Sequence, residues 1–589
     1  MNQFFKFFTA SCLGVFAAIA IMGLVFASFL GSMAGNKPIV PKNTVLELDF
    51  SSFIPEKTGN VESSAMSFEQ TDKLGLNSIV ALLDYAATDD KVKGILIKGG
   101  GVNAGQATVS TIRDALLKFK ETKKFVYSYA DFYSQSGYFL GSVADSVYLN
   151  PNGMVDVKGF ATMIPFFKNA MDKVGIKMNI FYAGNFKSAT EPFRRTEMSE
   201  SNKIQTREFL TSMVDQYKDL VSVSRNMSPD DLDQIMTDYK GRDAKSSLAV
   251  GLVDKIVYWD EVEATLRREL DIKSDKKIKL KSLTEYNSAV TLPKGSKAKE
   301  KIAVVYAEGT ISYGTDTKGS ISEAKYLKIL EKVKNDDDIK AMVLRVNSGG
   351  GSSITSDIIW RAIENIKAVG KPVVASFGDY AASGGYYIAA GADTIVSAPN
   401  CLTGSIGVFM MFPNLTELMN DKLGVNFDEV KTHPMAVGLS PTKDLTYAEK
   451  ELLQKGTNDV YEQFLNRVAI GRGMTRDEVH EVAQGRVWTG TKALDLGLVD
   501  VIGGLDDAIK LAGEMAGLED YKTKEYPTIK ETFLDQVVKG ISETNNVQAS
   551  LGINIDKSDL EMVRHYKEVK NLLLDRTPQA RLPFILKVD

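Results

Sequence analysis

Cysteine and histidine are scarce in this chain, with 2 and 3 residues respectively among 589. Cys12 lies in an apolar N-terminal stretch and Cys401 far from it, so no disulfide framework staples the fold in any compartment. No Cys or His pair has zinc-site spacing, and His433, His480 and His565 stand apart, so neither a metal nor a cofactor is expected. An excess of one charge is also missing. With 71 basic and 75 acidic residues the formal net charge is −4, which gives no electrostatic signal for nucleic acid. Apolar residues at 44% and charged residues at 25% exclude a disordered, collagen-like or polytopic membrane chain. At about 100–200 residues per domain, the length implies two large units or several small ones.

One long uncharged run is present. From Phe7 to Asn36 there is no charged residue, and at about 1.5 Å per residue the run is long enough to cross a hydrocarbon core of about 30 Å. Ser32-Met33-Ala34 resembles a cleavage site, but the apolar core exceeds the roughly 7–15 residues of a cleaved signal peptide. Residues 1–36 are therefore read as a single-pass membrane anchor. Lys6 on one side and Lys37 and Lys42 on the other give a weak positive-inside contrast, and the bulk of the chain is expected outside the cytoplasm.

The soluble part carries a long internal repeat. Thr88 to Lys98 (TDDKVKGILIK) parallels Asn335 to Arg345 (NDDDIKAMVLR) at an offset of 247 residues. At nearly the same offset Ala130 to Leu140 matches Gly378 to Ile388, with Ala-Asp-Ser and Ala-Asp-Thr downstream in register. Later, Gly241 to Asp254 answers Gly485 to Asp500. Three matches in order imply a duplicated domain. Each copy alternates short apolar strands with longer amphipathic stretches, the pattern of an α/β layer fold. Copy one is expected over about 43–290 and copy two over about 300–519, joined by the polar TLPKGSKAKE linker. The tail over 520–589 receives no role.

The copies differ at their matching turns. In copy two, Arg345 to Ser353 (RVNSGGGSS) ends a strand with three glycines, where backbone N–H groups could approach an anion unobstructed by Cβ. Copy one keeps the glycines but lacks the Asn-Ser pair. Downstream, Tyr380 to Asp393 places Ser383 before two glycines and an apolar helix, an arrangement that holds a serine exposed with the next N–H free. A plain helix cap is the competing reading. Gln135 stands at the equivalent place in copy one. A nucleophilic serine needs a base, and Phe181 to Phe193 presents Lys187 among apolar and small residues. A lysine serves as a base near neutral pH only when desolvation lowers its pKa. Its rough counterpart in copy two is Met435, so each copy would contribute half of the site.

These motifs resemble the signal peptide peptidase A family in its long form, with two tandem domains of the Clp protease/crotonase type. The match rests on GNFKSATEPF around Lys187, DYAASGGYYIA around Ser383, TGSIGV from Thr403 to Val408, and GRVWTGTKALDLGLVD from Gly485. The resemblance implies a bacterial serine endopeptidase of the inner membrane that degrades cleaved signal peptides. It implies Ser383 as nucleophile, Lys187 as general base, and Ser405 as the group orienting the lysine amine. It assigns the oxyanion hole to the N–H groups of Gly350 and Gly384, and it implies a homotetramer with apolar substrate pockets. Where the family carries N-S-P-G-G-S this chain has N-S-G-G-G-S, with Gly349 in place of proline and a less rigid loop. Tyr386, Tyr387 and Ile388 are candidates for pocket lining or for core. The nearest enzymatic rival pairs Ser383 with His433; a crotonase-type acyl-CoA enzyme and a membrane-tethered scaffold are the others.

Overall fold

The computed structural model describes residues 39–60, 73–273, 276–293, 295–314, 319–528 and 578–581. The predicted anchor over 1–36 lies outside the described residues, as does most of the tail. Among the described residues no helix is long and apolar enough to cross a membrane.

Two sheets dominate, the first of them parallel throughout. The first is built from β1 (Thr44–Phe53), β2 (Val92–Asn103), β3 (Phe125–Tyr133), β4 (Ser146–Val155), β6 (Lys255–Ile256) and β7 (Lys279–Ser282), in the order β6-β4-β3-β2-β1-β7. Strand β5 (Lys177–Ala183) leaves this sheet for another. The second contains β8 (Lys301–Glu308), β11 (Ile339–Ser348), β13 (Val373–Ala382), β15 (Leu402–Gly404), β17 (Val487–Thr489) and β19 (Lys522–Tyr526). Its order is β17-β15-β13-β11-β8-β19, parallel except where β17 pairs antiparallel with β15, and β14 (Thr394–Ser397) with β18 (Val501–Ile502) extends it beside β13.

Burial on both faces explains the near-continuous apolar strands. Along β11, Met342, Leu344 and Val346 enter the core under the helix Ser353–Lys367, where Ile359 and Ile363 meet them. The alternating residues Ala341 and Val343 face Ala508 and Ala512 of the helix Leu505–Met515. Copy one repeats the sandwich, with Leu46, Ile95 and Ile97 on one face and Val45, Leu96, Val262 and Leu266 on the other. Each buried Leu, Ile, Val or Met among these contributes about 1.5–3 kcal/mol.

The repeat is equally plain in the hydrogen bonds. Asp254 accepts from Val147 N at 2.7 Å and pairs with Arg225, and Asp500 accepts from Ile395 N at 2.7 Å and pairs with Arg472. Tyr138 donates to the Leu252 carbonyl as Tyr386 does to that of Leu498. The repeated Gly-Leu-Val-Asp and Tyr positions therefore mark one structural task done twice.

The copies interlock through a third sheet. Its order is β10-β9-β12-β20-β16-β5, with β9 (Ile311–Ser312), β10 (Ile321–Ser322), β12 (Gly350–Ser352), β16 (Val408–Asn414) and β20 (Gln579–Arg581). Strand β5 of copy one runs antiparallel to β16 of copy two, from Val408 opposite Ala183 to Asn414 opposite Lys177. A second junction is polar and buried. Arg345 on β11 donates through Nε and Nη2 to Glu56 of copy one at 2.9 and 3.1 Å, and through Nη1 to Ser376 and the Phe377 carbonyl. Beside it, Glu308 accepts from Glu56 N and from Asn60, and Asp379 accepts twice from Thr108.

Candidate active site

Ser383 stands at the end of β13 as the residue before the helix Gly384–Ala389. Its φ of +56° with ψ of −116° is a strained backbone for a residue with a Cβ, at a cost of about 1–3 kcal/mol. Its N–H donates to the Gly404 carbonyl at 2.8 Å. The hydroxyl makes no cap hydrogen bond to the helix, so the capping role does not describe it.

Lys187 arrives from the other copy. It follows β5, which the pairing with β16 holds against copy two, and Phe186 N donates to the Gln484 carbonyl at 2.8 Å. Its Nζ lies 2.7 Å from Ser383 Oγ, 3.0 Å from Ser405 Oγ and 3.0 Å from the Ser405 carbonyl oxygen. Ser405 sits between β15 and β16, has φ of +50°, and donates its N–H to the Arg486 carbonyl at 2.6 Å. All three side chains are buried, Lys187 at 1% exposure. Burial pushes the Lys187 amine well below the ordinary lysine range. No carboxylate is among the influences on it, so nothing offsets the desolvation.

Ser383 was expected to be exposed, and it is fully buried. The sequence of copy two places the serine at a turn, but the lysine loop of copy one and the 404–407 turn close around it. In copy one, Gln135 occupies the equivalent turn, and its Oε1 accepts from Lys158 N and Gly159 N. An amide locked onto backbone there leaves copy one without a hydroxyl.

The glycine loop lies beside the serine. Gly350 has φ of +98°, and a Cβ on it would stand 2.7 Å from Gly384 N, so the two glycines approach through the space a side chain would fill. Gly384 is the first residue of its helix, where an N–H has no intrahelical acceptor. The Gly350 N–H donates to Ser348 Oγ at 3.1 Å, and Ser348 Oγ donates in turn to the Gly309 carbonyl at 2.6 Å. Of the two expected oxyanion donors, Gly350 is thus engaged within its own loop.

The remaining candidates fall elsewhere. Tyr386, Tyr387 and Ile388 belong to the core of copy two. His433 is exposed in the segment after β16 and its ring bonds Thr432, whereas the partners of Ser383 Oγ are Lys187 and, at 3.5 Å, the Gly407 carbonyl. Among the described residues no group of His, Cys, Asp and Glu could hold a metal ion.

Two supports of Lys187 escaped the sequence reading. A Cβ on Gly485, which has φ of +80°, would stand 2.7 Å from the N, Cα and Cβ atoms of Lys187. Gln205, on the helix Glu200–Arg225, donates to the Phe186 carbonyl and to Ser188 Oγ while its Oε1 accepts from Val487 N. It ties the lysine loop to copy two. The repeated Gly-Arg motif flagged Gly485 as recurrent, but its task depends on a contact across about 300 residues.

A neutral amine has one lone pair and two N–H donors. The three contacts of Lys187 Nζ match that inventory: the Ser383 hydroxyl can donate to the lone pair, and both N–H groups can donate to Ser405.

The sequence is similar to known peptidases. Peptidase family S49 matches twice, over residues 118–273 and 365–519. Protease 4 of Salmonella typhi is 34% identical over 493 residues, covering 82% of this chain and 78% of its own. Serine protease SPPA, chloroplastic, of Arabidopsis thaliana is 32% identical over 441 residues, covering 74% and 64%. Among solved structures, ClpP1 from Listeria monocytogenes overlaps 35% of this chain and 92% of its own at 17% identity and a TM-score of 0.22.

Proposed function

We propose that this chain, which belongs to peptidase family S49 and is a serine peptidase, cleaves apolar peptides with a Ser383–Lys187 dyad assembled from both of its copies. The observation that carries this is the buried Lys187 amine 2.7 Å from Ser383 Oγ with no carboxylate acting on it. In its neutral form, which burial favours, Lys187 takes the serine proton as Oγ attacks the peptide carbonyl carbon. Ser405 holds both N–H groups of the amine and so aims its lone pair. The Gly384 N–H, joined by that of Gly350 when it turns from Ser348, receives the oxyanion. Lys187 then returns the proton to the departing amine, and water, deprotonated by the same lysine, hydrolyses the acyl-enzyme.

The substrates are cleaved signal peptides, and the anchor over residues 1–36 holds the enzyme on the extracytoplasmic face of the inner membrane, where such peptides are concentrated. The two units, over about 43–290 and 300–519, are of the Clp protease/crotonase type and assemble as a homotetramer. Exposed Leu423, Phe427, Val430 and Met435 after β16 support an assembly that covers apolar surface. The test is hydrolysis of an apolar signal-peptide segment in lipid vesicles by the full chain. Ser383→Ala and Lys187→Ala should each lower kcat by at least about 10³-fold. Normal cleavage by Lys187→Ala, or preference for a soluble polar peptide, contradicts the dyad or the substrate class respectively.

A further inference from the structure

The lysine rests on a turn of copy two, and that turn has a support of its own. Gln484 is left-handed at φ of +52°, an uncommon backbone for a residue with a Cβ. Towards copy one, its carbonyl accepts from Phe186 N at 2.8 Å and its Oε1 accepts from Asn185 Nδ2 at 2.8 Å, while a Cβ on Gly184 would stand 2.5 Å from its carbonyl. One residue on, Gly485 lies against Lys187, and its N–H donates to the Ile406 carbonyl at 2.7 Å, next to Ser405. The Gln484–Gly485 turn thus meets both the base and the segment of the serine that orients it.

Behind this turn stands Tyr461. It lies on the helix Tyr447–Arg472, is 6% exposed, and its hydroxyl oxygen accepts from Gln484 N at 3.2 Å. The same hydroxyl lies 3.1 Å from His480 Nδ1 on the helix Arg476–Val482. A backbone N–H can only donate, so the single hydroxyl proton goes to the ring nitrogen, which pairs Tyr461 with a neutral His480 protonated on Nε2. Donation therefore runs one way, from Phe186 to Gln484, from Gln484 to Tyr461 and from Tyr461 to His480. The repeat supplies a comparison. Both helices begin 247 residues after their counterparts Glu200–Arg225 and Pro229–Thr237, and the positions matching Tyr461 and His480 are Val214 and Asp233. Copy one, with Gln135 in place of a nucleophile, carries neither group.

We infer that Tyr461 is a positioning residue for the base: with its proton given to His480, its hydroxyl holds the Gln484–Gly485 turn where that turn seats Lys187 against Ser383. This rests on the peptidase reading above. Without the hydroxyl the Gln484 N–H loses its acceptor, the left-handed turn relaxes, and the lysine loop bonded to it shifts. Burial is what holds the Lys187 amine low, so a looser seat that admits water raises it.

The test is the pH profile of kcat/KM on an apolar fluorogenic peptide for the full chain and for Tyr461→Phe, His480→Leu, His480→Gln and Tyr138→Phe. Tyr461→Phe should lower kcat about tenfold with KM changed less than about threefold, and its ionisation should move up towards the ordinary lysine value of about 10.4. His480→Leu, which leaves the hydroxyl proton without its acceptor, should move the profile in the same direction, and His480→Gln, whose amide oxygen can take that proton, should restore it. Tyr138→Phe loses a hydroxyl bond to the Leu252 carbonyl in copy one, and should lower Tm by a few degrees while keeping the wild-type profile. A folded Tyr461→Phe with kcat within about twofold of wild type and an unmoved ionisation overturns this inference and leaves the dyad standing. If that variant does not fold, an unmoved ionisation in His480→Leu overturns it equally. A wild-type ionisation that persists in an active Lys187→Arg enzyme overturns the dyad and this inference with it.

Discussion

Replacing Gly485 with alanine probes how the lysine is seated without touching the reacting groups. The new Cβ would stand 2.7 Å from three atoms of Lys187, and ordinary contact begins at 3.4 Å, so the lysine backbone must retreat by roughly 0.7 Å. Carried to the end of the side chain, that retreat lengthens the 2.7 Å Nζ to Oγ distance to roughly 3.4 Å, beyond a working hydrogen bond. Misplacement by about 1 Å costs up to about 10²-fold in rate. We expect kcat to fall about 30-fold, which is about 2 kcal/mol. The φ of +80° adds about 1 kcal/mol of strain for a residue with a Cβ, so Tm should drop by a few degrees. Steady-state kinetics on an apolar fluorogenic peptide, with melting curves alongside, separate the two effects. KM should change less than about threefold, because the substrate slot is untouched. A folded Gly485→Ala with kcat within about twofold of wild type would refute the argument that this contact positions the lysine.

Three further outcomes follow from the buried charges. Lys187→Met should raise stability at neutral pH, because the folded-state pKa lies below that of the unfolded chain. The unfolded state binds the extra proton below about pH 10.5, so the gain should shrink as pH rises towards that value; a variant no more stable than wild type in urea at pH 7 speaks against it. Arg345→Met strands Glu56 without its bidentate partner and should cost about 3–5 kcal/mol, most of it recovered by adding Glu56→Leu; additive losses in the double variant would show that the pair is not the unit. Burial, helped by the neighbouring Glu56, pushes the Glu308 carboxyl up to about 8. Its contribution to stability is fully present below about pH 4.5 and fades as pH climbs through about 8, so Glu308→Gln should flatten the decline of the urea midpoint over that window; parallel slopes would contradict the assignment.

The duplication was legible because the same side chains recur with the same task. Asp254 and Asp500 each cap a strand of their own sheet, and such local duties survive in a motif. The α/β layering was legible for a similar reason: β8, β11 and β13 are apolar runs buried on both faces. The meeting of Lys187 with Ser383 was not a matter of spacing, since 196 residues separate them; it came from the resemblance and from each motif lying on a different copy. The burial of Ser383 was invisible because loops from both copies close the site. Gln205, Gly485 and β20 act through contacts between residues hundreds of positions apart, which no local pattern announces.

The claim that a neutral lysine is the base is tested most directly by the pH dependence of kcat/KM for wild type, Lys187→Arg and Ser383→Ala. Wild-type activity should rise with pH through a single ionisation well below the ordinary lysine value of about 10.4, and both variants should be inactive across the range. An ionisation that persists unchanged in an active Lys187→Arg enzyme would assign the proton to another group and contradict the dyad.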